Sequence, residues 1–155
     1  MKNVRSLVMN IALVVVGVFT LIFMSQAYIS VPATFIDGYQ FLEIDLADAP
    51  IELVLTTISV IINLIVASAL ILSAIVKLLT DCGVIKNKKV AKVFNVLNMV
   101  LAIVLLCSNI VAISCVGSYI SGSGLKIGWA LILILVLAFI STIAIVVEKV
   151  LSKKK

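Results

Sequence analysis

Hydrophobic positions along this chain fall into four long runs separated by short polar intervals. No Asp, Glu, Lys or Arg interrupts the sequence between Arg5 and Asp37, Glu52 and Lys77, Lys92 and Lys126, or Lys126 and Glu148. Each run exceeds the roughly 20 residues that a helix needs to cross about 30 Å of hydrocarbon. Runs rich in Val and Ile also suit buried strands, but these are too long for that. A backbone in lipid must satisfy its own polar groups, which a helix does. The pattern predicts spans at about 6–29, 51–79, 93–117 and 128–148. The fold class is therefore all-α: an integral membrane four-helix antiparallel bundle, up-down-up-down. A single transmembrane domain takes in 1–155, with outer loops at about 30–50 and 118–127 and an inner loop at about 80–92.

Composition agrees with the pattern. The 155 residues are 64% hydrophobic and 12% charged, against about 45–50% and about 25% in a soluble domain. A chain this short cannot hide the excess in one aqueous core.

Charge orients the runs. Lys2 and Arg5 precede span one, Lys77, Lys86, Lys88, Lys89 and Lys92 lie at or between the ends of spans two and three, and Lys149, Lys153, Lys154 and Lys155 follow span four. The positive-inside bias predicts a multi-pass protein of the cell membrane with both termini and the loop carrying Lys86, Lys88, Lys89 and Lys92 in the cytoplasm. Lys126 is the exception. These lysines set topology and touch anionic lipid, so the net charge of +5 requires no nucleic acid partner. The opposite face holds Asp37, Glu43, Asp45, Asp48 and Glu52, and Tyr28, Phe35, Tyr39, Phe41, Tyr119 and Trp129 form an aromatic belt near that boundary. The first span also has a basic start and a small-x-small triplet, Ser25-Gln26-Ala27. Its apolar core, Leu7 to Met24, is longer than the about 7–15 residues of a signal peptide, so an uncleaved anchor is expected.

The first outer loop opens with turn signals at Pro32 and Asp37-Gly38. "FLEIDL" then alternates, which predicts a short strand or extended segment with Leu42, Ile44 and Leu46 on one side and Phe41, Glu43 and Asp45 on the other. Pro50 suits the first turn of span two, Glu52 the positive end of that helix, and Gly83 a left-handed stop at its far end. "SYISGSGLKIG" is read as a tight, flexible connection. The acids lack the spacing of a calcium loop. No metal or other cofactor is expected. Cys107 and Cys115 are too far apart along one helix to pair, and nothing indicates a disulfide framework. Cys82, at the cytoplasmic edge, is a small residue near a helix end, with acylation the alternative.

A polar seam emerges from helical spacing. Asn63 shares its side of span two with Thr56, Ser59, Ala67, Leu70, Ala74 and Lys77; span three offers Asn95, Asn98, Ala102, Leu105, Asn109 and Ala112. Small and polar residues on one face are what helix packing in lipid requires. A hairpin centred near Ile85 and Lys86 places Asn63 opposite Asn109, Ser73 near Asn98, and Lys77 near Asn95. Asn63, Ser73, Asn98 and Asn109 are the predicted helix-to-helix seam.

Several function classes are disfavoured. There is no histidine, the commonest general base and metal ligand. No ionisable residue falls at mid-membrane, where ion-coupled transporters commonly place one. Ser108 and Ser114 have no neighbouring base. Catalytic residues are therefore not assigned and an enzyme is not expected. The chain looks like tetraspanins only in span count. It also lacks the tryptophan and cysteine pair of claudin-like proteins and the first-span glutamate of small multidrug exporters. The expected function is non-catalytic, through contacts with lipid and with another membrane protein or a second copy, as an accessory, assembly or immunity-type envelope component. Its candidate surfaces are the basic loop and the outer loop with Asp37, Tyr39, Phe41, Glu43, Asp45 and Asp48. The alternative is an oligomeric channel or small-solute transporter whose route is lined by the polar faces of spans two and three.

Overall fold

The computed structural model describes residues 2–32 and 34–153. Lys154 and Lys155 lie outside the described residues, as do the side chains of Lys2, Lys88 and Lys153. Four long helices dominate: α1 (Lys2–Phe23), α2 (Ile51–Asp81), α3 (Lys88–Ile120) and α4 (Trp129–Lys153). All four are long and apolar enough to cross a membrane. They pack in a ring, α1 against α2, α2 against α3, α3 against α4, and α4 back against α1. Val8, Ile11, Ile65, Leu72, Phe139 and Ile140 point outward and are exposed, an arrangement that lipid tolerates and water does not. The protein is a four-span membrane bundle in contact with lipid. At 1.5 Å per residue α2 is about 46 Å long and α3 about 50 Å, so both outreach a hydrocarbon layer of about 30 Å or tilt within it.

Local chemistry sets the helix ends. Asn87 accepts from the backbone N–H groups of Lys89 at 3.0 Å and Val90 at 3.5 Å, capping α3. Beyond α2, Gly83 takes a φ of +81°. There Val84 N–H bonds to Leu79 O at 3.0 Å, the wrap that satisfies terminal carbonyls. The carbonyl of Pro50 receives the N–H groups of Leu53 and Val54. The first helix stops earlier than hydropathy suggests. Ser25 N–H and Oγ both bond to Ile22 O, turning the chain before Ala27.

The α1–α2 and α3–α4 loops differ from the sequence expectation. Three short strands, β1 (Ala27–Val31), β2 (Thr34–Asp37) and β3 (Lys126–Ile127), form an antiparallel sheet in the order β2-β1-β3. The strand expected at "FLEIDL" is instead a 3-10 turn over Gln40–Glu43 followed by irregular chain. Phe41 drives this. Its side chain is buried, its ring centroid is 6.1 Å from that of Tyr28, and its carbonyl accepts from Thr57 Oγ1 at 3.1 Å. Leu42 and Leu46 are left exposed. "LKIG" is likewise more than a connection, since Lys126 pairs with Ser30 and Ile127 with Ile29. Gly128 permits the approach: its N–H bonds to Tyr28 O at 2.7 Å, and a Cβ there would lie 1.9 Å from Ala27 O.

Two apolar clusters fill the bundle. The outer one includes Met24, Tyr28, Ile29, Phe41, Val60, Val116, Leu131 and Ile134. The inner one includes Leu13, Val66, Leu70, Ala74, Ala102, Leu105 and Ala138.

Candidate functional site

Buried polar side chains gather at two levels of the bundle. The first lies at its lysine-rich end, where the termini and the α2–α3 turn meet. Lys77 and Asp81, four residues apart on α2, form an ion pair whose side chains are 9% and 13% exposed. Ser6 Oγ donates to Asp81 Oδ2 at 2.6 Å, and Asn10 Nδ2 donates to the same oxygen at 3.0 Å. Lys77 Nζ also donates to Ser6 Oγ at 3.1 Å. The chain of bonds continues inward: Asn98 Nδ2 donates to Asn10 Oδ1 at 3.3 Å, and Ser73 Oγ to Asn98 Oδ1 at 2.5 Å. Three helices are thereby tied, and Glu148 of α4 lies within electrostatic reach of Lys77 and Asp81. The pair sits in the last two turns of α2, which eases the cost of holding charge in a membrane protein.

The second level lies about 16 Å further along α3, by the helical rise from Asn98 to Asn109. Asn63 Nδ2 donates to Asn109 Oδ1 at 3.0 Å, and Asn109 Nδ2 returns the bond to Asn63 Oδ1 at 3.2 Å. Asn109 Nδ2 also donates to Leu105 O at 2.7 Å. Ser108 Oγ donates to the Ser59 carbonyl at 3.0 Å. Interhelical bonds of this kind contribute about 0.6–2 kcal/mol each in membranes. Tyr28, on β1, is fully buried beside this level, and its hydroxyl has no hydrogen-bond partner among the described residues. Burial pushes the Tyr28 phenol well above its ordinary range, and the neighbouring Asn63 amide opposes the rise.

The structure brings the predicted seam residues together in two pairs, Asn63 with Asn109 and Ser73 with Asn98. It does not join Lys77 to Asn95. Asn95 is exposed, and the ammonium of Lys77 goes to the Asp81 carboxylate, the stronger partner for a buried cation. Sequence reasoning missed Asp81, Ser6 and Asn10. The four-residue Lys-Asp spacing, and an Asn within the apolar run of α1 resembling the one in α2, were the signals available.

The α1–α2 loop is only partly exposed. Phe41 is core, which corrects its assignment to the interaction surface. Asp37 Oδ1 accepts from Gln40 N–H at 2.9 Å while Gln40 Oε1 accepts from Asp37 N–H at 3.0 Å, a reciprocal clasp. Asp45 Oδ1 accepts from Ala47 N–H at 3.0 Å, and Tyr39 Oη donates to Leu21 O at 3.1 Å. Glu43, Asp45, Asp48 and Tyr39 stand exposed with Phe35, Leu42 and Leu46. At the other end Lys86, Lys89 and Lys92 are exposed. Cys82, Cys107 and Cys115 are free thiols. Fold and site define a four-span membrane bundle with polar seams. No family model, curated protein or solved structure matches the chain.

Proposed function

We propose that this protein is a non-catalytic contact protein of the cell membrane, with both termini cytoplasmic. In this reading the bundle holds the small sheet and acidic loop in place as a docking surface for another membrane or envelope protein. The observation that carries the reading is the contrast between a spent interior and an unspent rim. Asn63 and Asn109 are fully buried and bonded to each other, and Leu13, Leu70, Leu105 and Ala138 fill the space between the two polar levels. At the rim, Phe35, Tyr39, Leu42 and Leu46 are exposed among carboxylates. Mixed aromatic and apolar side chains with a charged border are the composition of protein interfaces.

The test is mild detergent extraction of tagged protein from its own membrane, with and without Leu42→Ser and Leu46→Ser. A stoichiometric partner recovered with the wild type and lost with the double variant supports docking at the rim. Solute flux through liposomes holding the purified protein, abolished by Asn63→Leu while the fold is kept, would replace the reading with a transport role.

A further inference from the structure

The small sheet has an open side. Its order is β2-β1-β3, so among the described residues no strand pairs with the far side of β2. The register shows which backbone groups face that side. Gly128 N–H bonds to Tyr28 O, and two residues further along β1 Ser30 pairs with Lys126. Backbone groups in an antiparallel ladder alternate sides from residue to residue. Ser30 therefore turns its N–H and C=O to β3, and its pairing with Phe35 across β1 and β2 is the kind without hydrogen bonds. Phe35 in turn directs its own N–H and C=O away from β1. Asp37 N–H, the next on that side, is taken by Gln40 Oε1 at 3.0 Å. The open edge is thus short and centred on Phe35, and the side chains of Thr34 and Phe35 stand exposed along it.

The chain that continues from this edge is acidic and held in place. Asp37, Glu43, Asp45, Asp48 and Glu52 follow with no Lys or Arg between them, and none of the five forms an ion pair among the described residues. The buried Phe41 ring and the Asp37–Gln40 clasp fix the loop, which lowers the cost of ordering it against a partner. Two independent features therefore choose the occupant. Free backbone groups on a strand edge call for an extended segment. Unanswered carboxylates beside them call for positive charge. A second copy of this chain could fill the edge, but its own acidic loop would meet the first with like charge. An anionic headgroup is repelled for the same reason.

We infer that β2 takes up an extended, lysine- or arginine-rich segment of another protein as a further strand of the sheet, bonded to the backbone of Phe35 and flanked by Glu43, Asp45 and Asp48. This rests on docking at the rim, as proposed above, and adds how the partner binds and what charge it carries.

The test places the full chain in phosphatidylcholine nanodiscs and titrates a fluorescent peptide of alternating lysine and valine, read by anisotropy. The wild type is expected to bind it, and to bind neither a glutamate–valine peptide nor the N-methylated lysine–valine peptide, which cannot donate backbone hydrogen bonds. Phe35→Pro removes the outward N–H at an edge position that tolerates proline, and is expected to weaken binding roughly five- to ten-fold relative to Phe35→Ala, which keeps that N–H. Glu43→Gln with Asp45→Asn and Asp48→Asn is expected to weaken binding roughly ten-fold at low salt and to flatten its salt dependence. Circular dichroism and thermal unfolding check that each variant is folded, and the peptide controls on the wild type decide the question even where a variant is not. Equal binding of the N-methylated or the glutamate peptide, equal losses in Phe35→Pro and Phe35→Ala, or a dimer of this chain displaced by the peptide would overturn the inference. In the extraction experiment above, a partner lost with Leu42→Ser and Leu46→Ser but retained in full by Phe35→Pro would overturn the added strand and leave docking at the rim standing.

Discussion

The two polar levels of the bundle solve the same problem with different chemistry. At the lysine-rich end, charge is allowed, but only when shared among Lys77, Asp81, Ser6 and Asn10 on two helices. Near the midpoints of α2 and α3, the polar groups are neutral, and the amides of Asn63 and Asn109 satisfy each other reciprocally. The difference follows depth. A buried ion is tolerable where water is a turn away and costs several kcal/mol where it is not. Amides can adhere in hydrocarbon because neither partner carries a net charge. The comparison teaches that these are adhesive groups graded by depth, with Leu13, Leu70 and Leu105 packed between them.

The charged level should be the more fragile of the two when broken on one side. Asp81→Ala leaves the Lys77 ammonium buried without its ion-pair partner and is expected to cost about 3–5 kcal/mol. Lys77→Met combined with Asp81→Leu removes both charges and should restore most of that loss. Reversible unfolding in mixed micelles measures both; equal losses in the single and double variants would show that the charges are not coupled. The neutral level should respond less. Asn63→Leu leaves Asn109 Oδ1 without its donor and is expected to cost about 1–2 kcal/mol, with Asn63→Leu/Asn109→Leu less harmful than the sum of the singles. Strict additivity in that cycle would argue against the reciprocal pair. The smallest effect is expected at Tyr28. Its hydroxyl has no hydrogen-bond partner among the described residues, so Tyr28→Phe should change stability by less than about 0.5 kcal/mol at neutral pH. A difference should open only in alkali. The folded state holds the phenolic proton more tightly than the unfolded chain, whose tyrosine titrates near pH 10. The stability from this group is complete below that pH and declines as pH rises above it. Wild type should therefore weaken more than Tyr28→Phe between pH 9 and 11, as read by the same unfolding assay.

Much of this was legible in the sequence because hydrocarbon is an undemanding judge of pattern. Length and the absence of charge gave the four helices. The side of α2 carrying Asn63 also carries Thr56, Ser59, Ala67, Leu70, Ala74 and Lys77, and all are buried. What escaped was chemistry set by non-local approach. Ile127 meets Ile29 nearly a hundred positions away, and a two-residue strand has no periodicity of its own. Phe41 looked like an alternating surface position because nothing local reveals that Tyr28 waits beneath it. Asp81 lies just past the predicted end of span two, and only the fold shows its carboxylate turned to a lysine one helical turn earlier.

The short β1–β3 pairing at Gly128 has a mechanical consequence. It sews the α3–α4 hairpin to the segment leaving α1, and Thr57 fastens α2 to the same cap through Phe41. All four rods are thus gripped at one rim, as in a spring clip. Spreading of the rods is therefore resisted at both ends, by this grip at one rim and by the bonds of Lys77, Asp81, Ser6, Asn10 and Asn98 among three helices at the other.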